Sequence, residues 1–195
     1  MNSTGAAESA ATYTAFCGTR RIAQGHLPKV TEEIRHVMEK IPHAAILIFD
    51  DFSGRQIEAD LRDPSAKPSD LIESQPSRGP GRPKLGVIAR EVTLLPRHWE
   101  WLNNQPGGAS VALRKLVEEA RHMKAGSDRI RRSQEATYKF LHAIAGDEPG
   151  FEEAMRALFG NEREKFEELI AAWPGDIPEH GRKLSLDAFS PDRET

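Results

Sequence analysis

Apolar and polar positions alternate or recur along most of this chain, and the period changes from place to place. Residues 13–16 and 21–23 flank Cys17-Gly18-Thr19, which predicts a hairpin. Thr31 follows Pro28-Lys29-Val30 and precedes Glu32-Glu33, the signature of a helix start with acid in its first turn. Ile34, Val37, Met38 and Ile41 then give that helix one apolar face up to Pro42. Residues 44–49 are continuously apolar, as expected of a strand covered on both faces. After a turn at 50–55, Ile57, Ala59 and Leu61 alternate as a return strand. Residues 13–61 therefore read as β-β-α-β-β, a small α+β domain behind a short polar tail at 1–12.

Pro, Ser and charge make residues 62–75 a linker, which runs into Ser77-Arg78-Gly79-Pro80-Gly81-Arg82-Pro83-Lys84. That arm is cationic and too rich in Gly and Pro for a helix or a central strand, so linker and arm together span 62–86. Residues 87–95 are rich in Val, Ile, Thr and Leu and stop at Pro96, which predicts one strand. A helix over 97–105 follows, with Trp99 and Leu102 three apart on one face, and Pro106-Gly107-Gly108 ends it. A second helix starts at Ser110 with Leu113, Leu116, Val117 and Ala120 at helical spacing. These elements make a strand-helix-helix unit at 87–125. A break is expected at 122–128, and a helical segment at 126–174. Its first helix, capped by Ser127 or Asp128, carries Ile130, Thr137, Phe140, Leu141 and Ile144. The next spans 151–159, and the last follows Asn161 with Phe166, Leu169, Ile170 and Trp173. Residues 175–195 read as an irregular tail. The fold class is α+β throughout.

Charge changes this picture more than composition does. The 195 residues carry a net charge of −3, yet between Arg78 and Arg132 twelve Lys/Arg stand against five Asp/Glu, while both flanks are acidic. A basic middle suits an anionic ligand unless the flanks lie against it. The single cysteine, Cys17, excludes an intrachain disulfide and a cysteine zinc cluster and reads as a turn or core residue. No apolar run is long enough to span a bilayer and residues 1–12 lack the pattern of a secretion signal, so a soluble cytoplasmic protein is expected. His98, His122 and His142 form no metal-binding pair, and neither a P-loop, a GxGxxG after a strand nor a GxSxG occurs; no metal, cofactor or catalytic set is nominated. Asp50-Asp51 are the only paired carboxylates at a strand end and read as hairpin-turn residues. An enzymatic reading rests on them alone and requires a cleft beside them. Arg129, Arg131 and Arg132, near an expected helix start, suit either a solvated face or a phosphate nearby.

One strand cannot satisfy its own edges and two short helices cannot bury two tryptophans, so the central unit needs a partner surface. Its order resembles the ribbon-helix-helix DNA-binding family, in which two chains pair their strands. That resemblance implies a homodimer acting as a transcriptional regulator on double-stranded DNA. Arg90 and Thr93 would lie on the ribbon, and Gly107, Gly108 and Ser110 would face a phosphate. Alternation sets Arg90, Val92 and Leu94 on one face of the strand, and Glu91, Thr93 and Leu95 on the other. Gly81-Arg82-Pro83-Lys84 is similar to an AT-hook, implying that Arg82 and Lys84, with Arg78 beside them, reach a minor groove or its phosphates. The second reading is a non-enzymatic protein-interaction module, with one of Trp99 and Trp101 in a core and the other at a partner surface. The runs Tyr13-Thr14-Ala15-Phe16, Phe49-Asp50-Asp51 with Gly54-Arg55, GRPKLGVIAREVTLLPRHWEWL, PGGASVALRKLVEEAR and GDEPGFEEAMRALF also resemble a bacterial family known as domain of unknown function 2239. The resemblance covers nearly the whole chain and implies no activity, cofactor or catalytic residue.

Overall fold

The amino-terminal hairpin forms where its pattern places it. β1 (Tyr13–Cys17) and β2 (Arg20–Gly25) pair antiparallel across a turn in which Gly18 has φ 58°. β3 (Ile46–Asp50) adds to the other edge of β1, and β4 (Gln56–Ile57) pairs with β3, giving an antiparallel sheet of order β2-β1-β3-β4. These elements come from a computed structural model, which describes residues 11–58 and 90–189. The expected end of the return strand, the linker and the arm residues Arg78, Arg82 and Lys84 lie outside those residues.

Between the hairpins runs α1 (Leu27–Lys40), which starts four residues before the expected Thr31. Pro28 fixes φ in the first turn, where its missing N–H costs nothing, and Leu27 and Val30 extend the buried face backwards. The Thr31 hydroxyl donates to the Pro28 carbonyl at 2.9 Å and so bonds within the helix instead of capping it. Alternation then gives the sheet two unlike faces. Tyr13, Ala15 and Ile48 pack with Leu27, Val30 and Ile34 of α1. Phe16 and Phe49 point the other way, into a core shared with Phe140, Leu158, Phe166, Ile170 and Ile177.

Five more helices follow among the described residues: α2 (Pro96–Asn103), α3 (Gly108–Ala145), α4 (Phe151–Phe159), α5 (Arg163–Ala171) and α6 (Ile177–Leu184). Contacts divide the chain into two compact units, Met1–Glu73 with Asp128–Thr195, and Ser74–Ser127. The chain is a mixed α+β protein.

Three expectations are corrected. Residues 90–95, the described part of the strand expected at 87–95, form no strand and make no ladder among the described residues. The break expected at 122–128 is absent, and α3 runs unbroken for 38 residues. No Pro interrupts it, Gly126 costs only about 1 kcal/mol in a helix interior, and Ser127 bonds back to the Lys124 carbonyl at 3.0 Å instead of starting a new helix. The stretch from Gly175, expected to be irregular, contains α6, whose Ile177, His180, Gly181 and Leu184 are buried at spacing i, i+3, i+4 and i+7.

What holds α6 in place is the hairpin turn. A side chain on Gly175 (φ 63°) would overlap the Thr19 carbonyl, which accepts the Asp176 N–H at 2.9 Å. The Arg21 N–H donates to Asp176 Oδ2 at 2.8 Å, and the Arg21 guanidinium pairs with Glu179 at 2.9 Å. At its other end the Ser133 hydroxyl of α3 donates to the Leu184 carbonyl at 2.6 Å.

Candidate functional site

Two places were singled out by sequence, the acidic pair at the end of β3 and the basic central unit, and they turn out to be built on opposite plans.

The two carboxylates of the pair do different jobs. Asp50 is a turn residue, as expected: its Oδ1 accepts from the Phe52 N–H at 3.0 Å, the Ser53 N–H at 2.6 Å and the Ser53 hydroxyl at 2.8 Å. Asp51 lies on the face of Thr14 and Phe16, its side chain 5 % exposed. The Thr14 hydroxyl donates to Oδ1 and the Lys183 ammonium to Oδ2, both at 2.6 Å. Burial pushes the Asp51 carboxyl up, but the hydrogen bonds from Lys183 and Thr14, with the Lys183 charge, outweigh it and hold the group below its ordinary value. Gly54 (φ 66°) fixes the turn against α3, since a Cβ there would overlap the Ala136 carbonyl.

His180 stands 3.7 Å from Asp51 through Nε2, too far for a hydrogen bond, and neither ring nitrogen has a hydrogen-bond partner among the described residues. Its ring meets Phe140 edge-on at 4.6 Å and Phe16 at 5.5 Å. Burial, aided by the Lys183 and Arg21 charges and opposed by Asp51 and Glu179, lowers its pKa to about 4, so the ring is neutral at pH 7. A base sealed from solvent cannot reach a substrate, and a carboxylate already committed to Thr14 and Lys183, with the Gln24 amide donating to Oδ2 at 3.5 Å, is a poor one. The cluster therefore anchors α6 to the sheet. Beside it opens a cleft of about 200 Å3 lined by Asp51, Phe52, Arg129, Arg132, Lys183, Leu186 and Asp187, among others. Neither His180 nor Lys183 was nominated from sequence. The available signal was the helical spacing of Ile177, His180, Gly181 and Leu184, with Pro178 in the first turn.

The central unit is open where the first unit is closed. Of its described residues 90–127, only Leu102 and Ala112 are buried. Trp99 and Trp101 are 37 % and 52 % exposed, so the expectation that one indole enters a core is corrected: Leu102 takes the single inward position of α2. Val92, Leu95, Leu116 and Val117 are exposed as well. A groove of about 280 Å3 is lined only by Leu94, His98, Trp101, Leu102, Leu113 and Leu116. The nominated nucleic-acid residues fall in three places. Arg90 and Thr93 are exposed in the irregular segment before α2. Gly107 (φ 88°), Gly108 (φ 73°) and Ser110 meet at the start of α3, where the Gly108 N–H is taken by the Gln105 carbonyl at 2.9 Å. The following amides are the free ones of a helix start. Arg78, Arg82 and Lys84 lie outside the described residues.

Among the described residues no group of His, Cys, Asp and Glu could hold a metal ion, and no helix is long and apolar enough to cross a membrane. A family model described as an uncharacterized protein conserved in bacteria, DUF2239, matches residues 12–185. No curated protein and no solved structure matches the chain.

Proposed function

The chain belongs to the bacterial DUF2239 family, whose description names no activity, and from its own geometry we propose that it is a DNA-binding homodimer whose central unit is completed by a second copy. One observation carries this reading: residues 90–127 expose Val92, Leu95, Trp99, Trp101, Leu116 and Val117 while burying only Leu102 and Ala112. So few buried side chains cannot offset the entropy of ordering the segment. A second copy supplies the missing cover: two 90–95 segments pair as an antiparallel ribbon, and the groove beside Trp101 closes over its equal. Arg90 and Thr93 then lie on the ribbon, and Gly107, Gly108 and Ser110 present the start of α3 to a phosphate. Arg78, Arg82 and Lys84 add cations that track the backbone or a narrow groove.

Fluorescence anisotropy with random duplex DNA at low and moderate salt tests the nucleic-acid part. Binding is expected to weaken steeply with salt. Arg82→Ala with Lys84→Ala is expected to weaken it on every sequence and to reduce the logarithmic salt slope by about 2. No binding at low salt would overturn this part. The same two exposed tryptophans also favour a second reading, a module for a different protein. It predicts that Trp101→Ala abolishes a heterologous complex with no change in DNA affinity or self-association.

A further inference from the structure

The cleft beside Asp51 lies wholly in the sheet-containing unit and has no part in the nucleic-acid reading. Its wall on α3 carries Arg129 and Arg132, three apart and so on one side of the helix. Elsewhere on α3 Arg121 pairs with Glu118 at 3.1 Å and Arg131 with Asp128 at 2.8 Å, and Arg114 donates to the Ser110 carbonyl at 3.1 Å. Arg129 and Arg132 have no ion pair among the described residues. Arg132 lies instead over the Phe52 ring, its guanidinium carbon 4.8 Å from the centroid. This contact leaves the guanidinium N–H groups free to donate at the edge. Lys183 spends one donor on Asp51 and, 40 % exposed, keeps others for the cleft.

The rest of the lining is apolar. Leu184 and Ala136 form the floor, and Phe52 and Leu186, each 65 % exposed, stand at the rim. Large apolar side chains this open beside unpaired guanidinium groups suit a ligand with one anionic end and one apolar end. A cavity of 150 Å3 holds a benzene ring, and this cleft measures about 200 Å3. Asp51 is cancelled by Lys183, which leaves Asp187 as the other carboxylate in the lining of this cleft, while Glu135 lines the adjoining pocket with Arg132. Two planar forks and the remaining N–H donors of the Lys183 ammonium supply more donors than the two oxygens of a carboxylate accept, and match the three terminal oxygens of a phosphoryl group. We propose that this cleft binds a small organic phosphate, its phosphoryl group held by Arg129, Arg132 and Lys183 and its apolar part seated against Phe52 and Leu186.

Phenyl phosphate is the probe, titrated into the full chain by calorimetry and by two-dimensional NMR, with inorganic phosphate and phenol as the separate halves. Saturable binding at or below about 1 mM is expected, at least tenfold tighter than either half. Arg129→Ala and Arg132→Ala, both at exposed positions, are each expected to weaken it fivefold or more. Arg131→Ala is expected to leave it unchanged, and Asp187→Asn to tighten it. No saturation by about 10 mM, or equal affinity in the Arg129→Ala/Arg132→Ala double variant, would overturn the proposal. So would inorganic phosphate binding as tightly as phenyl phosphate, because the apolar seat would then contribute nothing. Dependence of duplex DNA binding on the same two arginines, with no response to phenyl phosphate, would make the cleft a polynucleotide contact and also reject it.

Discussion

The unit built on the sheet and the unit built on α2 and the first half of α3 use similar apolar side chains to different ends. In the first, Phe16, Phe49, Phe140 and Phe166 are fully buried, and one polar cluster at Asp51 ties the last helix to the first hairpin. In the second, both tryptophans and a Leu-Val pair on α3 face outward. The difference teaches that a hydrophobic stripe reports the need for a partner without saying whether that partner lies in the same chain. For Phe140 the partner is Phe49, at 5.0 Å in the same molecule. Trp101, by contrast, stays 52 % exposed at the edge of a groove formed with Leu94, Leu102, Leu113 and Leu116, and it is the proposed second copy that would cover it.

The strongest way to break the contrast is at two glycines. Gly54→Ala drives a Cβ into the Ala136 backbone at a left-handed φ and is expected to cost about 4 kcal/mol or more. Gly108→Ala, at a similar φ with nothing within 4 Å of the new atom, is expected to cost about 1 kcal/mol. Urea unfolding of the two variants compares them, and equal losses would contradict the closed-against-open distinction. Next in size, Phe140→Ala is expected to remove about 3–5 kcal/mol through cavity formation. Trp101→Ala is expected to change the stability of the isolated chain by less than about 0.5 kcal/mol while abolishing self-association.

Acid sharpens the comparison further, because the buried histidine belongs to the closed unit. His180 takes its proton near pH 6.5 when unfolded and near pH 4 when folded, so between those values the unfolded chain binds more protons. Stability of this unit is therefore expected to fall as pH drops from 6.5 to 4, by about 3 kcal/mol in total from this residue. Asp51, with its carboxyl held low, adds its own loss only as pH falls below 3.8. Urea midpoints at pH 7 and pH 4.5 check this: His180→Leu is expected to flatten the dependence in that window, and an unchanged slope would remove His180 from the account.

Much of the closed unit was legible in the sequence because a turn divides its first hairpin, a continuous apolar run marks β3, and its helices α4 and α5 carry regular apolar stripes. What the pattern did not show is that the sheet and the carboxy-terminal helices share a core, since Phe16 and Phe140 meet only through the fold. α6 escaped notice for a physical reason: three of its five buried residues are Pro178, His180 and Gly181, which a hydrophobic stripe does not count. Gly181 is small enough to let Leu141 approach, and His180 is buried by an aromatic cage. The acidic pair was visible, but only the structure separates Asp50, turned on its own loop, from Asp51, turned inward. The break expected near Gly126 failed because glycine weakens a helix without ending it. Of the strand expected before Pro96, the described residues 90–95 are irregular because strand propensity without a pairing edge among the described residues makes no sheet.

Sedimentation equilibrium of the full chain at micromolar concentration measures the central claim directly. A species of twice the 21.7 kDa chain mass, reduced to the chain mass by Trp101→Ala, is the expected result. A monomer at every concentration, with Trp101→Ala indistinguishable from the parent, would contradict it.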